Sequence, residues 1–177
     1  VKIIVSSIPE EGLNLRFSRS RGWLESAMSD KAEPLTCAQD VQVSCQLRRL
    51  GDNVFLEGSV DTALELACCR CLEAALLAVD ATFRYTLVPY PDHQDSEVEL
   101  GSEDLEFSYY VEDSIDLEPL VLEQILLQIP MRVLCRENCR GLCPRCGANL
   151  NEEACRCQGP AVDERLAVLK NIKIQKK

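Results

Sequence analysis

Residues 41–88 read VQVSCQLRRLGDNVFLEGSVDTALELACCRCLEAALLAVDATFRYTLV, and the fold is decided here. Val41, Val43, Cys45 and Leu47 alternate with Gln42, Ser44 and Gln46. Gly51-Asp52-Asn53 is a turn signal. The alternation then resumes, with Val54, Leu56, Val60, Leu64 and Leu66 on even positions and Glu57, Ser59, Asp61 and Glu65 on odd ones. A third run places Leu77, Val79, Phe83, Tyr85 and Leu87 on odd positions. A period of two is that of a strand with one face buried, so three such runs with short links predict an antiparallel meander. The alternation is the same whether the sheet closes into a barrel or stays open. Between the second and third runs, Cys68-Cys69-Arg70-Cys71 falls at a predicted hairpin tip.

Outward from this core the chain changes character. Residues 18–33 suggest a short helix around Trp23 to Met28, and Leu105 to Val111 a further strand. Leu117, Leu120, Val121, Ile125 and Ile129 recur near helical spacing, and Pro130 ends the run, which predicts a buried helix over 117–129. Residues 89–104, which hold the only histidine, His93, read as an exposed loop. Residues 131–159 are rich in Cys, Gly and Arg with little periodicity, as expected of a loop folded around metal. A last amphipathic helix is expected from Asp163 to about Asn171. The fold class is therefore α+β: a β-rich domain over 1–130, and a cysteine-rich segment with a terminal helix over 131–177, packed as one unit.

Net charge is −10 over 177 residues, unevenly spread. Residues 86–130 carry 12 acidic side chains and no Lys or Arg, whereas residues 131–177 carry 10 basic and 5 acidic ones. Like charge repels phosphate, so only the basic tail has the right sign for a nucleic acid. No apolar stretch is long and uncharged enough to span a bilayer, and no signal-peptide layout opens the sequence. A cytoplasmic location is expected, with no membrane partner.

Cysteine stands out at 11 residues, an odd number. Without a secretory context, clustered pairs read as metal ligands or redox centres rather than disulfides. Eight fall into four pairs: Cys68/Cys71, Cys135/Cys139, Cys143/Cys146 and Cys155/Cys157. Tetrahedral zinc takes four ligands, commonly as two close pairs, so four pairs make two sites. The favoured partition joins Cys143 and Cys146 to Cys155 and Cys157 as a local site. It leaves Cys68 and Cys71 with Cys135 and Cys139 as a long-range staple. The other closes a single site from Cys135, Cys139, Cys143 and Cys146. Cys37, Cys45 and Cys69 are spare.

Catalysis is not indicated. Thiol–disulfide exchange favours one CxxC in a thioredoxin-like βαβ context, which is missing here. A zinc deaminase pattern needs a His two residues before a Glu and a PCxxC run, and neither is present. No glycine-rich phosphate loop occurs, and no small-molecule substrate is implied.

Several of these stretches resemble the bacterial YceD family, also called large ribosomal RNA subunit accumulation proteins. Cys68-Cys69-Arg70-Cys71-Leu72-Glu73 resembles the C-x-R-C-L-x segment of that family. Residues 135–147, CRENCRGLCPRCG, resemble its C-x-x-x-C-x-G-L-C-P-x-C-G signature. Asn149-Leu150-Asn151, Cys155-x-Cys157 and the segment from Asp163 to Lys170 follow in the expected order. The resemblance implies a role in making or accumulating large-subunit (23S) rRNA, with no established catalytic activity. Some members lack the C-P-x-C-G pair, which implies that the local site is the dispensable one.

Together these readings predict a non-enzymatic protein with one or two zinc ions per chain. Arg132, Arg136, Arg140, Arg145, Arg156, Lys170 and Lys173 would face rRNA, or a ribosome-assembly intermediate, as a basic surface. The rival partner is a basic ribosomal protein held by the acidic middle. A thiol redox protein is the third possibility.

Overall fold

A computed structural model describes residues 1–28, 36–90 and 107–157. Among the described residues the chain is mostly β, with two α-helices. The strands are β1 (Lys2–Ile4), β2 (Leu13–Arg19), β3 (Thr36–Cys37), β4 (Val41–Leu50), β5 (Asn53–Ala67), β6 (Ala74–Pro89), β7 (Phe107–Tyr110) and β8 (Ser114–Asp116). The helices are α1 (Arg21–Ala27) and α2 (Leu117–Leu127). The main sheet has the order β2-β4-β5-β6-β7, with β3 pairing β5 off that path, and β1 pairs β8 separately.

The three alternating runs become β4, β5 and β6, paired antiparallel with Leu47 opposite Leu56 and Leu56 opposite Tyr85. Val41, Val43, Leu47, Val54, Leu56, Val60, Leu64, Val79 and Leu87 are buried on one face, because the side-chain period of a strand is two. Gly58 interrupts the run where Phe83 lies directly opposite. A Cβ there would stand 2.5 Å from the Phe83 ring, so the missing side chain is the space that the ring fills. The 15- and 16-residue strands β5 and β6 are long for a globular sheet.

The further strand expected over Leu105 to Val111 is β7, at the edge of the meander. β6 pairs β7 in parallel, Thr86 with Phe107 and Val88 with Tyr109. Alternation reports which face a residue takes and not the strand direction. The chain between Tyr90 and Phe107 is long enough for the crossover that a parallel pair requires. Among the described residues, β2 and β7 do not pair with each other, so the curled sheet is a half-barrel left open.

Helix α2 covers the concave face. Leu117, Val121 and Ile125 are buried, and Leu117, Leu120 and Val121 meet Val43, Cys45, Leu56 and Phe83. The Asp116 side chain caps the helix by accepting the Glu118 N–H at 3.2 Å. The helix stops at Leu127, two residues before the expected end. Ile129 precedes Pro130 and is biased out of helical geometry, and its N–H bonds to Leu126 O in a tightened last turn. Arg19 Nε donates to Glu118 at 3.0 Å, fixing the end of β2 to this helix.

Among the described residues, the sheet's outer face at the end away from the hairpin tip carries exposed apolar side chains. Leu50, Phe55, Tyr90, Phe107 and Tyr109 are exposed there, and the Tyr90 and Tyr109 rings meet edge to face with centroids 5.6 Å apart. The expected helix after Asp163, the acidic loop with His93, and Lys170 and Lys173 lie outside the described residues.

Candidate metal centre

The β5–β6 hairpin carries Cys68 and Cys71 in its tip. The loop after α2 brings Cys135 and Cys139 against them, and the four sulfurs lie within 4.8 Å of one another. The sulfurs of Cys143, Cys146, Cys155 and Cys157 likewise lie within 4.8 Å of one another. All 11 cysteines are free thiols.

The donor sets suit a tetrahedral metal. With Zn–S at about 2.3 Å, the edge of a regular ZnS4 tetrahedron is about 3.8 Å. The Cys68–Cys139 sulfurs are 3.8 Å apart, and those of Cys71 and Cys135 are 3.6 Å apart. In the second cluster, Cys146 and Cys155 are 3.7 Å apart, and Cys143 and Cys155 sit closer, at 3.2 Å. The two clusters could therefore hold metal ions.

The local backbone is built the same way twice. In the tip, Leu72 N–H donates to Cys68 O at 2.9 Å, and Cys68 N–H to Glu73 O at 2.8 Å. In the second loop, Gly147 N–H donates to Cys143 O at 2.9 Å, and Cys143 N–H to Ala148 O at 2.8 Å. The residue after each CxxC is left-handed, Gly147 at φ 75° and Leu72 at φ 64°. Glycine takes that conformation freely, whereas leucine does so at a cost of about 1–2 kcal/mol. The turn curls the intervening N–H groups back onto the first sulfur of each pair.

Those N–H groups set the thiol acidities. Burial pushes the Cys68 thiol up, but backbone N–H groups from Arg70, Cys135 and Cys71 outweigh it and bring it down to about 6. The N–H groups of Cys146 and Arg145 bring Cys143 down to about 6. Their neighbours move the other way. Cys157 is pushed up to about 12, first by Cys155 and then by Cys146. The Glu73 N–H favours the Cys71 thiolate, yet burial and the surrounding thiols raise Cys71 to about 12. Burial also pushes the Cys139 thiol up, but the Asn151 side chain and the Gly141 N–H outweigh it and lower it, so each cluster mixes thiols that ionise readily with thiols that resist further negative charge. A dication would neutralise that charge, with release of the remaining protons.

The two clusters differ in shelter. Cys68, Cys71 and Cys139 are buried in a small core of their own with Leu134 and Leu142. Cys146 is exposed, and Cys155 and Cys157 are partly so. Arg70 braces the first cluster: its Nη1 donates to Cys139 O at 2.8 Å, and its own carbonyl accepts Leu142 N–H at 3.0 Å. Cys69 N–H donates to Val133 O at 2.9 Å. Gly141, left-handed at φ 76°, lets the loop pass the tip, since a Cβ there would be 2.9 Å from Arg70 O.

Asn149 and Asn151 join the loops, a role that spacing does not reveal. Asn151 Nδ2 donates to Cys139 Sγ at 3.3 Å, and its Oδ1 accepts Arg140 N–H at 2.8 Å. Of the arginines expected to meet RNA, Arg132, Arg136, Arg140, Arg145 and Arg156 are exposed on these loops. Among the spare thiols, Cys37 and Cys45 are buried and Cys69 is exposed. Among the described residues, no helix is long and apolar enough to cross a membrane.

An open half-barrel with one long hairpin, its tip gathered with the cysteine-rich loop into paired four-thiol clusters, defines a β-sheet protein with two candidate metal sites. This chain belongs to the YceD family, described as large ribosomal RNA subunit accumulation protein YceD, whose profile matches residues 56–173. It is 27% identical over 158 residues to the chloroplastic YCED homolog 1 of Arabidopsis thaliana, covering 76% of this chain and 49% of that protein. To the Zea mays homolog of the same name it is 28% identical, covering 81% and 56%. An uncharacterized Mycobacterium tuberculosis protein is 29% identical over 64% of this chain and 53% of its own length. The chain thus spans about half the length of these curated relatives. No solved structure matches it.

Proposed function

We propose that this chain is a non-enzymatic, zinc-held protein that supports accumulation of large-subunit rRNA by binding that RNA or an assembly intermediate that carries it. The observation that carries this reading is the placement of five exposed arginines, Arg132, Arg136, Arg140, Arg145 and Arg156, on the loops that the two cysteine clusters fix. Zinc bound by four thiolates keeps no open position, so its contribution would be to the fold. Cys68, Cys71, Cys135 and Cys139 would hold one ion, and Cys143, Cys146, Cys155 and Cys157 the other. The first site draws ligands from both sides of residue 130 and would pack the β-rich part and the cysteine-rich segment as one unit. Guanidinium groups at this end would meet phosphates and stack on unpaired bases. Lys170 and Lys173 would extend the same basic segment.

Binding to large-subunit rRNA fragments, measured across a salt series, tests this. Reversing Arg140 and Arg145 to Glu should weaken binding and flatten the salt slope by roughly 1.4–1.8, the release from about two phosphates. An unchanged slope with unchanged affinity refutes the RNA interface.

A second reading is favoured by the opposite end of the sheet. There Phe55, Phe107 and Tyr109 stand exposed, and the sequence from 86 to 130 has 12 carboxylates and no Lys or Arg. Aromatic faces and carboxylates suit a basic ribosomal protein. Capture of such a protein that survives arginine reversal, and fails when Glu103, Asp104 and Glu106 are neutralised, would select this reading.

A further inference from the structure

Asn151 lies in the loop between Cys146 and Cys155 of the exposed cluster, yet its amide reaches a sulfur of the buried one. Its Oδ1 accepts the Arg140 N–H at 2.8 Å. A backbone N–H can only donate, so this contact fixes which end of the amide is which. Nδ2 is therefore the atom facing Cys139 Sγ, at 3.3 Å. It also donates to Asn149 Oδ1 at 2.9 Å, and Asn149 Nδ2 reaches Glu73 in the hairpin tip at 3.4 Å. The Glu152 and Glu153 N–H groups both donate to Asn149 O at 3.1 Å, closing a turn around the pair. Leu150 N–H donates to Gly141 O at 2.9 Å, tying that turn to the strand of chain between Cys139 and Cys143.

We propose that Asn151 is a positioning residue that couples the two metal sites, so that metal in the exposed cluster tightens metal binding in the buried one. This rests on the zinc reading above. A metal held by Cys143, Cys146, Cys155 and Cys157 fixes both ends of the Asn151 loop. The amide is then presented to Cys139 without further ordering. An N–H donated to a ligating sulfur fixes that ligand's position and orientation, as outer-shell donors do elsewhere. Coupling between binding sites is reciprocal, so metal in the buried cluster also favours the exposed one. The exposed cluster loses its ion first, because Cys146 is open to solvent. The staple between the hairpin tip and the post-helix loop then loosens. The pair works as one unit that responds to metal supply, rather than as two independent clips.

The experiment uses the full chain loaded with zinc, a colorimetric chelator in competition, and cobalt spectra to count tetrathiolate sites. Two variants and their combination are compared. Asn151→Asp keeps an acceptor for the Arg140 N–H but turns a carboxylate oxygen toward Cys139. Cys146→Ser with Cys157→Ser disables the exposed cluster. Asn151→Asp should still bind two cobalt ions, yet yield the metal of its buried site to chelator about tenfold more readily or worse. The double serine variant should bind one ion, similarly weakened, and adding Asn151→Asp to it should weaken that ion little further. Far-ultraviolet spectra like the parent's show that the sheet is intact in each. A role confined to capping Arg140 would leave Asn151→Asp like the parent, and that result overturns the proposal. So does an equal, additive loss in both backgrounds. If the parent chain binds no cobalt or zinc at all, the zinc reading falls with it. Two ions bound independently refute the coupling and leave that reading standing.

Discussion

Gly141→Ala and Gly147→Ala make one experiment. Both glycines are left-handed, at φ 76° and 75°, and each follows a cluster cysteine by one or two residues. An alanine at either position bears the left-handed cost of about 1–2 kcal/mol. At Gly147 nothing lies within 4 Å of the added Cβ. At Gly141 the Cβ would be 2.9 Å from Arg70 O and 3.2 Å from Arg70 Cβ, where backbone must give way. Overpacking of that kind adds about 1–3 kcal/mol. Gly147→Ala should therefore cost about 1–2 kcal/mol and Gly141→Ala about 2–5 kcal/mol. In a chain of this size these correspond to losses in Tm of roughly 2–8 °C and 4–20 °C. The assay is thermal unfolding at one fixed concentration of added zinc, because any bound ligand shifts the midpoint. Zinc content is measured beside it, since the loop that Gly141 bends carries Cys139 and Cys143. If the two variants melt within about 1 °C of each other, the close approach of Gly141 to Arg70 is refuted.

Three other outcomes follow from the same geometry. Leu72→Gly relieves left-handed strain at a side chain that is 68% exposed, against a gain in unfolded-chain freedom, and should raise stability by up to about 1 kcal/mol in chemical denaturation; a loss of more than that would show that Leu72 packs where it is described as exposed. Gly58→Ala drives a methyl into the Phe83 ring and should cost about 1–3 kcal/mol, part of it recovered by Phe83→Leu in the same chain; absence of any recovery in thermal melts would refute the pairing. In zinc-loaded protein, alkylation followed by mass spectrometry should mark exposed Cys69 first, while Cys37 and Cys45, whose thiols burial pushes up, should resist until unfolding; early labelling of either buried thiol would contradict the core.

What was legible in the sequence was whatever repeats at short range. The period of two from Val41 to Leu87 marked the buried face nearly residue by residue, and the stripe from Leu117 to Ile125 marked the helix. Less was legible where a contact joins distant segments. β1 and β8 have three residues each and pair Lys2 with Asp116 across most of the chain, too short for a pattern to register. The parallel β6–β7 pair was missed because side-chain alternation carries no direction. The cysteine spacing pointed to clustered thiols, whereas the choice between the two partitions depends on where the hairpin tip sits. Gly147 signalled its turn by being glycine. The matching turn at Leu72 was silent, since a leucine there gives no hint of a left-handed backbone. Asn151 was likewise one amide in a polar loop until Arg140 and Cys139 were placed around it.

The long-range reach of the buried cluster also sets an order of events during synthesis. Cys68 and Cys139 are separated by 71 positions in the chain. At about 5–20 residues per second, translation needs roughly 4–14 s to pass from one to the other. Once residue 89 has emerged, β5 and β6 can pair for the rest of that interval, but the nascent hairpin tip then carries Cys68 and Cys71, whose partners do not yet exist. A growing chain with its tip in this condition is open to oxidation, to stray metal ions, or to a chaperone. The last step of folding is then timed by the ribosome's progress through the cysteine-rich segment rather than by the sheet.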